Sequence, residues 1–149
     1  MLRTLDIITT GCIGLMIGTE LAVAVFIDPI LWKLENPVQL TATRLFAKRL
    51  GTAMPFWYIA SFVLLIAETI VRRHESGAAL LAIASVIWAT VIVLTILFLV
   101  PINNRLAQLG STSVAEVARQ QHRKWDRMHR YRVAALGAAM FCFLLSTSM

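Results

Sequence analysis

Between Gly77 and Val100 no residue carries a charge. Coiled as an α-helix at 1.5 Å per residue, that run is about 36 Å long, enough to cross the roughly 30 Å hydrocarbon layer of a bilayer. A segment in that solvent must satisfy its own backbone hydrogen bonds, which leaves helices or a closed barrel. Further apolar runs at about 5–32, 51–71 and 131–147 are of helical length, so the predicted fold is all-α: a four-helix transmembrane bundle in one membrane domain, 1–149. Composition agrees, because 58% hydrophobic and 15% charged residues compare with roughly half and a quarter in soluble domains.

The boundaries follow from local breakers. Asp28-Pro29 is expected to end the first span and Asn36-Pro37 to form a turn. Thr41 to Leu50 reads as a short basic amphipathic helix, and Pro55 lies early enough in the second span to be tolerated. Pro101 should stop or kink the third span. Ser113 with Glu116 has capping-box spacing, so an amphipathic pre-helix over 113–130 would carry the fourth helix into the cytoplasm. Arg3 and Ala22-Val23-Ala24 imitate a cleaved leader, but the run is too long for one and is interrupted by Glu20, so it is read as a span.

Charge sets topology. Of 14 Lys and Arg residues, Arg3, Arg72 and Arg73 fall on one side of the spans. The other eleven fall on the opposite side, in the first connection and in the stretch from Arg105 to Arg132. The positive-inside rule then turns both termini away from the cytoplasm, as expected for a protein of a bacterial inner membrane. The net charge of +6 sits beside apolar runs, where lipid headgroups account for it, so nucleic acid is not an expected partner. Cys12 and Cys142 lie within apolar runs without metal-ligand or redox spacing and read as small buried hydrophobes.

Glu20 stands out, since an ionisable group inside a span costs at least about 2.5 kcal/mol and marks a functional candidate. At about 100° per residue, His122, Trp125, Asp126, His129 and Arg132 share one face of the last helix, while Arg123, Lys124, Arg127 and Arg130 point elsewhere. Under the inferred topology, Asp28, the Pro55-Trp57-Tyr58 group, Asn103 with Asn104, and His129 with Arg132 lie at one depth near Glu20. Glu20, His129, Arg132 and Asn103 are therefore the expected catalytic residues, and Trp125, Asn104, Trp57 and Tyr58 the expected substrate-binding ones. No cofactor is favoured; a metal ion, if bound, would be held by Glu20, His122, Asp126 and His129. Glu68, near the other end, is expected to pair with Arg72 or Arg73. Gly11, Gly14, Gly18 and Ala22 form a small-residue stripe suited to close helix approach, within the chain or in a homo-oligomer.

The Pro101-x-Asn103-Asn104 break, Trp125-x-x-x-His129-x-x-Arg132, the glycines with Asp28-Pro29 and the Arg44 to Gly51 run together resemble the anthrone oxygenase-like membrane proteins over nearly the whole chain. The resemblance implies a four-helix membrane protein that oxidises a lipophilic, anthrone-like aromatic or quinone-like substrate with dioxygen. Two other classes stay open: a proton-coupled transporter of small multidrug type using Glu20, and a non-catalytic membrane subunit.

Overall fold

A computed structural model describes residues 2–108 and 115–149. The expected capping serine, Ser113, lies outside the described residues. Leu2–Ala22, Val23–Ile27 and Asp28–Leu31 run on from one another and together form α1; Asn36–Val71 is α2; Ala78–Leu94, Thr95–Leu99 and Val100–Gln108 form α3; and Ala115–Thr147 is α4. No strand occurs among the described residues. Three helices are long and apolar enough to cross a membrane, over Arg3–Leu31, Asn36–Val71 and Ala78–Leu106, which makes this an integral membrane protein.

At three expected stops or kinks the helix runs on. Pro29 and Pro101 lack the N–H that a helix would use, and each ring would press on the carbonyl four residues earlier. The chain answers with a π turn just before each one. Asp28 N donates to Val23 O and Val100 N to Thr95 O, five residues back rather than four, over Val23–Ile27 and Thr95–Leu99. The wider turn moves the obstructed carbonyl aside, so α1 continues to Leu31 and α3 to Gln108. The third correction concerns α2, a single 36-residue helix that includes both the supposed amphipathic piece and the second span. Pro37 occupies its first turn, where a missing N–H has no consequence, and Pro55 is internal.

The helices close on a core of Ile13 and Met16 from α1, Leu65 from α2, Trp88 from α3 and Phe143 from α4. Hydrocarbon gives apolar side chains no reason to prefer one another over lipid, so packing and interhelical hydrogen bonds hold such a bundle together. Trp57 Nε1 donates to Cys12 O (3.1 Å), Trp88 Nε1 to Tyr58 O (3.2 Å), and the Thr69 and Ser85 hydroxyls are 2.9 Å apart. Helix α4 makes its most extensive contact with α3. At its C-terminal end a Cβ on Gly77 would lie 2.5 Å from Ser146 O, so only glycine permits that approach. The glycines of α1 are used less than their spacing suggests: Gly14 faces Met140, but a Cβ on Gly11 or Gly18 would meet nothing within 4 Å.

Candidate functional site

The distortions in α1, α2 and α3 coincide at one level, and a cavity of about 170 Å³ opens there. The π turn of α1 contributes Val23, next to Thr19 and Glu20; that of α3 contributes Thr95, Ile96 and Leu99; and α2 contributes Gly51 and Pro55. Pro55 has no N–H for the carbonyl of Gly51, so α2 is loosened at the cavity wall. The lining is mainly aliphatic. Ile59 of α2 and Ile96 of α3 are 57% and 58% exposed on the outer surface of the bundle, so the mouth between these helices faces lipid.

The charged wall is contributed by α1 and α4. Arg132 Nη2 donates to Glu20 Oε2 at 2.6 Å, and His129 Nδ1 is 3.1 Å from the same oxygen. His129 Nε2 lies 3.1 Å from the backbone carbonyl of Glu20. A carbonyl only accepts, so that nitrogen carries the hydrogen and the ring is held as the Nε2–H tautomer. In the neutral imidazole, Nδ1 then presents a lone pair to Arg132 Nη2, 2.9 Å away. Protonated, Nδ1–H donates to Glu20 Oε2 instead. The two states differ by one proton and no heavy atom has to move, which is the arrangement a proton-handling pair needs. Glu20 and Arg132 neutralise each other, as a buried ion pair must.

Aromatic rings set this pair in place. Trp125 stacks on His129 (centroids 4.6 Å apart, 14° between planes), and one turn earlier His122 stacks on Trp32 of α1 (4.6 Å, 9°). The Arg132 guanidinium lies 5.5 Å from the Tyr58 ring centroid. Asn103 donates through Nδ2 to Ala47 O at 2.9 Å, tying α3 to α2. A Cβ on Gly51 would come within 2.6 Å of that nitrogen, so the glycine is what admits the amide.

Glu20, His129, Arg132, Asn103, Asn104, Trp125 and Tyr58 all line this cavity. Trp57 does not. One position from Tyr58 on the helix, it points about 100° away and holds Cys12 O instead. Nor are the four candidate metal ligands gathered: Asp126 turns to Arg130 (3.1 Å) and His122 Nε2 lies 3.7 Å from Asp28, leaving Glu20 and His129 as a pair. No cluster of three or more His, Cys, Asp or Glu occurs among the described residues. Two polar residues of the cavity had no sequence signal, Thr19 and Thr95. The Thr95 hydroxyl, the Tyr58 hydroxyl and Arg132 Nε are buried without a partner, and unpaired polar atoms around a cavity are what a ligand would satisfy.

A helical membrane protein with a lipid-facing apolar cavity and one charged wall is the class these features define. The anthrone oxygenase family model matches residues 42–142, and the chain belongs to that family. The match takes in Asn103, Trp125, His129 and Arg132, while Glu20 lies before it. No curated protein and no solved structure matches.

Proposed function

We propose that this protein is a membrane oxygenase that draws a lipophilic aromatic or quinone-like substrate from the bilayer and converts a methylene beside an aromatic carbonyl system into a ketone. The observation that carries this reading is the Glu20–His129–Arg132 cluster on the wall of an otherwise apolar cavity.

In the proposed reaction the His129–Glu20 pair removes one proton from the methylene, giving an enolate. Arg132, with the free donor capacity of Asn103 and the Tyr58 and Thr95 hydroxyls, stabilises the oxyanion, because fixed donors act most strongly where water is excluded. Trp125 forms the wall for the flat ring, and exposed Asn104 lies at the rim. The enolate carbon forms a bond to dioxygen, and the resulting peroxide takes the proton back from the pair. Loss of the second methylene proton then breaks the O–O bond, leaving the ketone and one water. The carbon gives up four electrons and dioxygen takes up four, so no further reductant is needed.

In this reading the C-terminal half of α4 is a fourth span, the basic half of α4 lies in the cytoplasm, and both termini face away from it, in a bacterial inner membrane. Gly11 and Gly18 offer a face to a second copy of the chain. The proton-coupled transporter alternative needs a carboxylate free to trade its proton for a cation, whereas that of Glu20 is bonded to Arg132 and His129.

The test is oxygen uptake and anthraquinone formation with anthrone as probe, using purified protein in lipid nanodiscs against a protein-free control. Glu20→Gln, His129→Ala and Arg132→Ala are each expected to lose about 10²- to 10⁴-fold in turnover while still inserting. Wild-type rates in all three would rule the mechanism out.

A further inference from the structure

Beside the main cavity are two smaller ones that the proposed chemistry does not use. The first, about 30 Å³, shares Val23, Leu50, Asn103 and Trp125 with the main cavity and adds Asp28, Thr43 and His122. The second, about 20 Å³, shares Thr43, Leu106 and His122 with the first and extends to Gln39, Arg119 and the exposed Asn36 at the start of α2. The three therefore stand in a row from the catalytic wall to the polar end of the bundle.

Their polar walls are not satisfied by protein. Asp28 Oδ2, Thr43 Oγ1, Gln39 Nε2 and Arg119 Nε are buried without a hydrogen-bond partner, and Asp28 is 2% exposed. The nearest ion-pair partner of Asp28, His122 Nε2, is 3.7 Å from Oδ1, too far for a hydrogen bond. A buried polar group stranded without a partner is costly, and four of them line two adjoining spaces. The set holds an acceptor (Asp28), donors (Gln39, Arg119) and a hydroxyl that is both (Thr43), in spaces above the roughly 10–15 Å³ that one water requires. Water is the ligand that fits mixed donors and acceptors in volumes this small. A cation is disfavoured by the Arg119 guanidinium and the Gln39 amide, which line the second of the two cavities, next to the one that Asp28 lines.

We propose that the two small cavities hold ordered water and, with Asp28, Thr43 and His122, form the path by which the Glu20–His129 pair exchanges protons with the aqueous face. The path also gives the water formed in turnover an exit other than the apolar mouth. Its role in catalysis rests on the oxygenase reading; its existence does not.

The experiment therefore uses no substrate. In protein labelled with 15N at histidine and tryptophan, transfer to D₂O is followed by NMR at His129 Nε2–H, with Trp57 Nε1–H, held to Cys12 O off the path, as internal control. Asp28→Asn keeps the shape and removes the charge; Thr43→Leu fills the space. Both are expected to slow exchange at His129 by roughly tenfold or more, with Trp57 unchanged, because each interrupts a hydrogen-bonded water chain. Should Thr43→Leu fail to fold, Asp28→Asn decides alone. Unchanged or faster exchange at His129 in Asp28→Asn overturns the path. Slowed exchange in a protein that never oxidises anthrone keeps the path and removes only the oxygenase reading.

Discussion

Two glutamates are buried in this bundle, and they are held in opposite ways. Glu68, fully buried, accepts a hydrogen bond from Thr9 (3.2 Å), and its Oε2 lies 3.4 Å from Arg72 Nε. Arg72 in turn makes a forked bond to Asp6 at 2.7 and 2.8 Å. Helices α1 and α2 are clamped together there, away from the cavity that Glu20 lines. Glu20 lies eleven residues beyond Thr9 on α1, about 16 Å along the axis. It too is bound to an arginine. Both clusters leave buried polar atoms unpaired, Glu68 Oε2 and Arg72 Nε in one, the Tyr58 and Thr95 hydroxyls and Arg132 Nε in the other, but the second set lies around a space of about 170 Å³. Buried charge and unfinished hydrogen bonding do not mark a site by themselves; beside a void they do.

The largest expected difference between the two clusters lies in turnover. Glu68→Gln, the counterpart of Glu20→Gln, is expected to leave anthrone oxidation within about twofold of wild type, against the loss of about 10²-fold or more at Glu20. Equal losses would mean that both carboxylates act through the fold. Stability reverses the order. Arg72→Met leaves the charges of Asp6 and Glu68 facing each other without a cation, which is expected to cost about 3–5 kcal/mol. Thermal unfolding in detergent reads this as a lowered midpoint, with turnover per folded molecule retained.

The convergence of Glu20, His129, Arg132, Asn103, Trp125 and Tyr58 was legible from the sequence. Charge asymmetry fixes which helix ends lie together, and an ionisable group in hydrocarbon must find a partner at its own depth. Less legible were features where tertiary structure overrides local preference. Gly51 looks like a helix start, yet its missing Cβ serves the Asn103 amide within a continuous helix. The π turns are a response to Pro29 and Pro101 that residue identity does not announce. Thr95 reads as apolar filler, because threonine in a helix commonly bonds the carbonyl four residues back, as Thr19, Thr52 and Thr90 do. At Thr95 the π turn begins, and its hydroxyl is left unpaired.

A smaller effect is expected where the cavity wall is only repositioned. Gly51→Ala puts a methyl within 2.6 Å of Asn103 Nδ2, forcing the amide from Ala47 O. Loss of that bond is expected to cost about 0.5–1.5 kcal/mol in stability, with a fall in kcat for anthrone larger than the rise in KM, because the displaced amide no longer donates to the oxyanion. A rise in KM alone would make Asn103 a residue that only positions the ring.

The smallest effect tests the boundary of the site. Trp57 and Tyr58 are adjacent in sequence, and only Tyr58 reaches the cavity. Trp57→Phe keeps the apolar bulk and removes one hydrogen bond between α2 and α1, a loss of about 0.5–1.5 kcal/mol. The midpoint of unfolding should drop slightly while kcat and KM for anthrone stay unchanged. Tyr58→Phe should do the reverse: its hydroxyl has at most a long contact with the Glu20 carboxylate to lose, so stability should hold while oxidation slows. If Trp57→Phe slowed oxidation as much as Tyr58→Phe, the cavity would have to extend across α2 to the Cys12 carbonyl, and the division between a ligand-facing and a helix-binding side of that helix would fail.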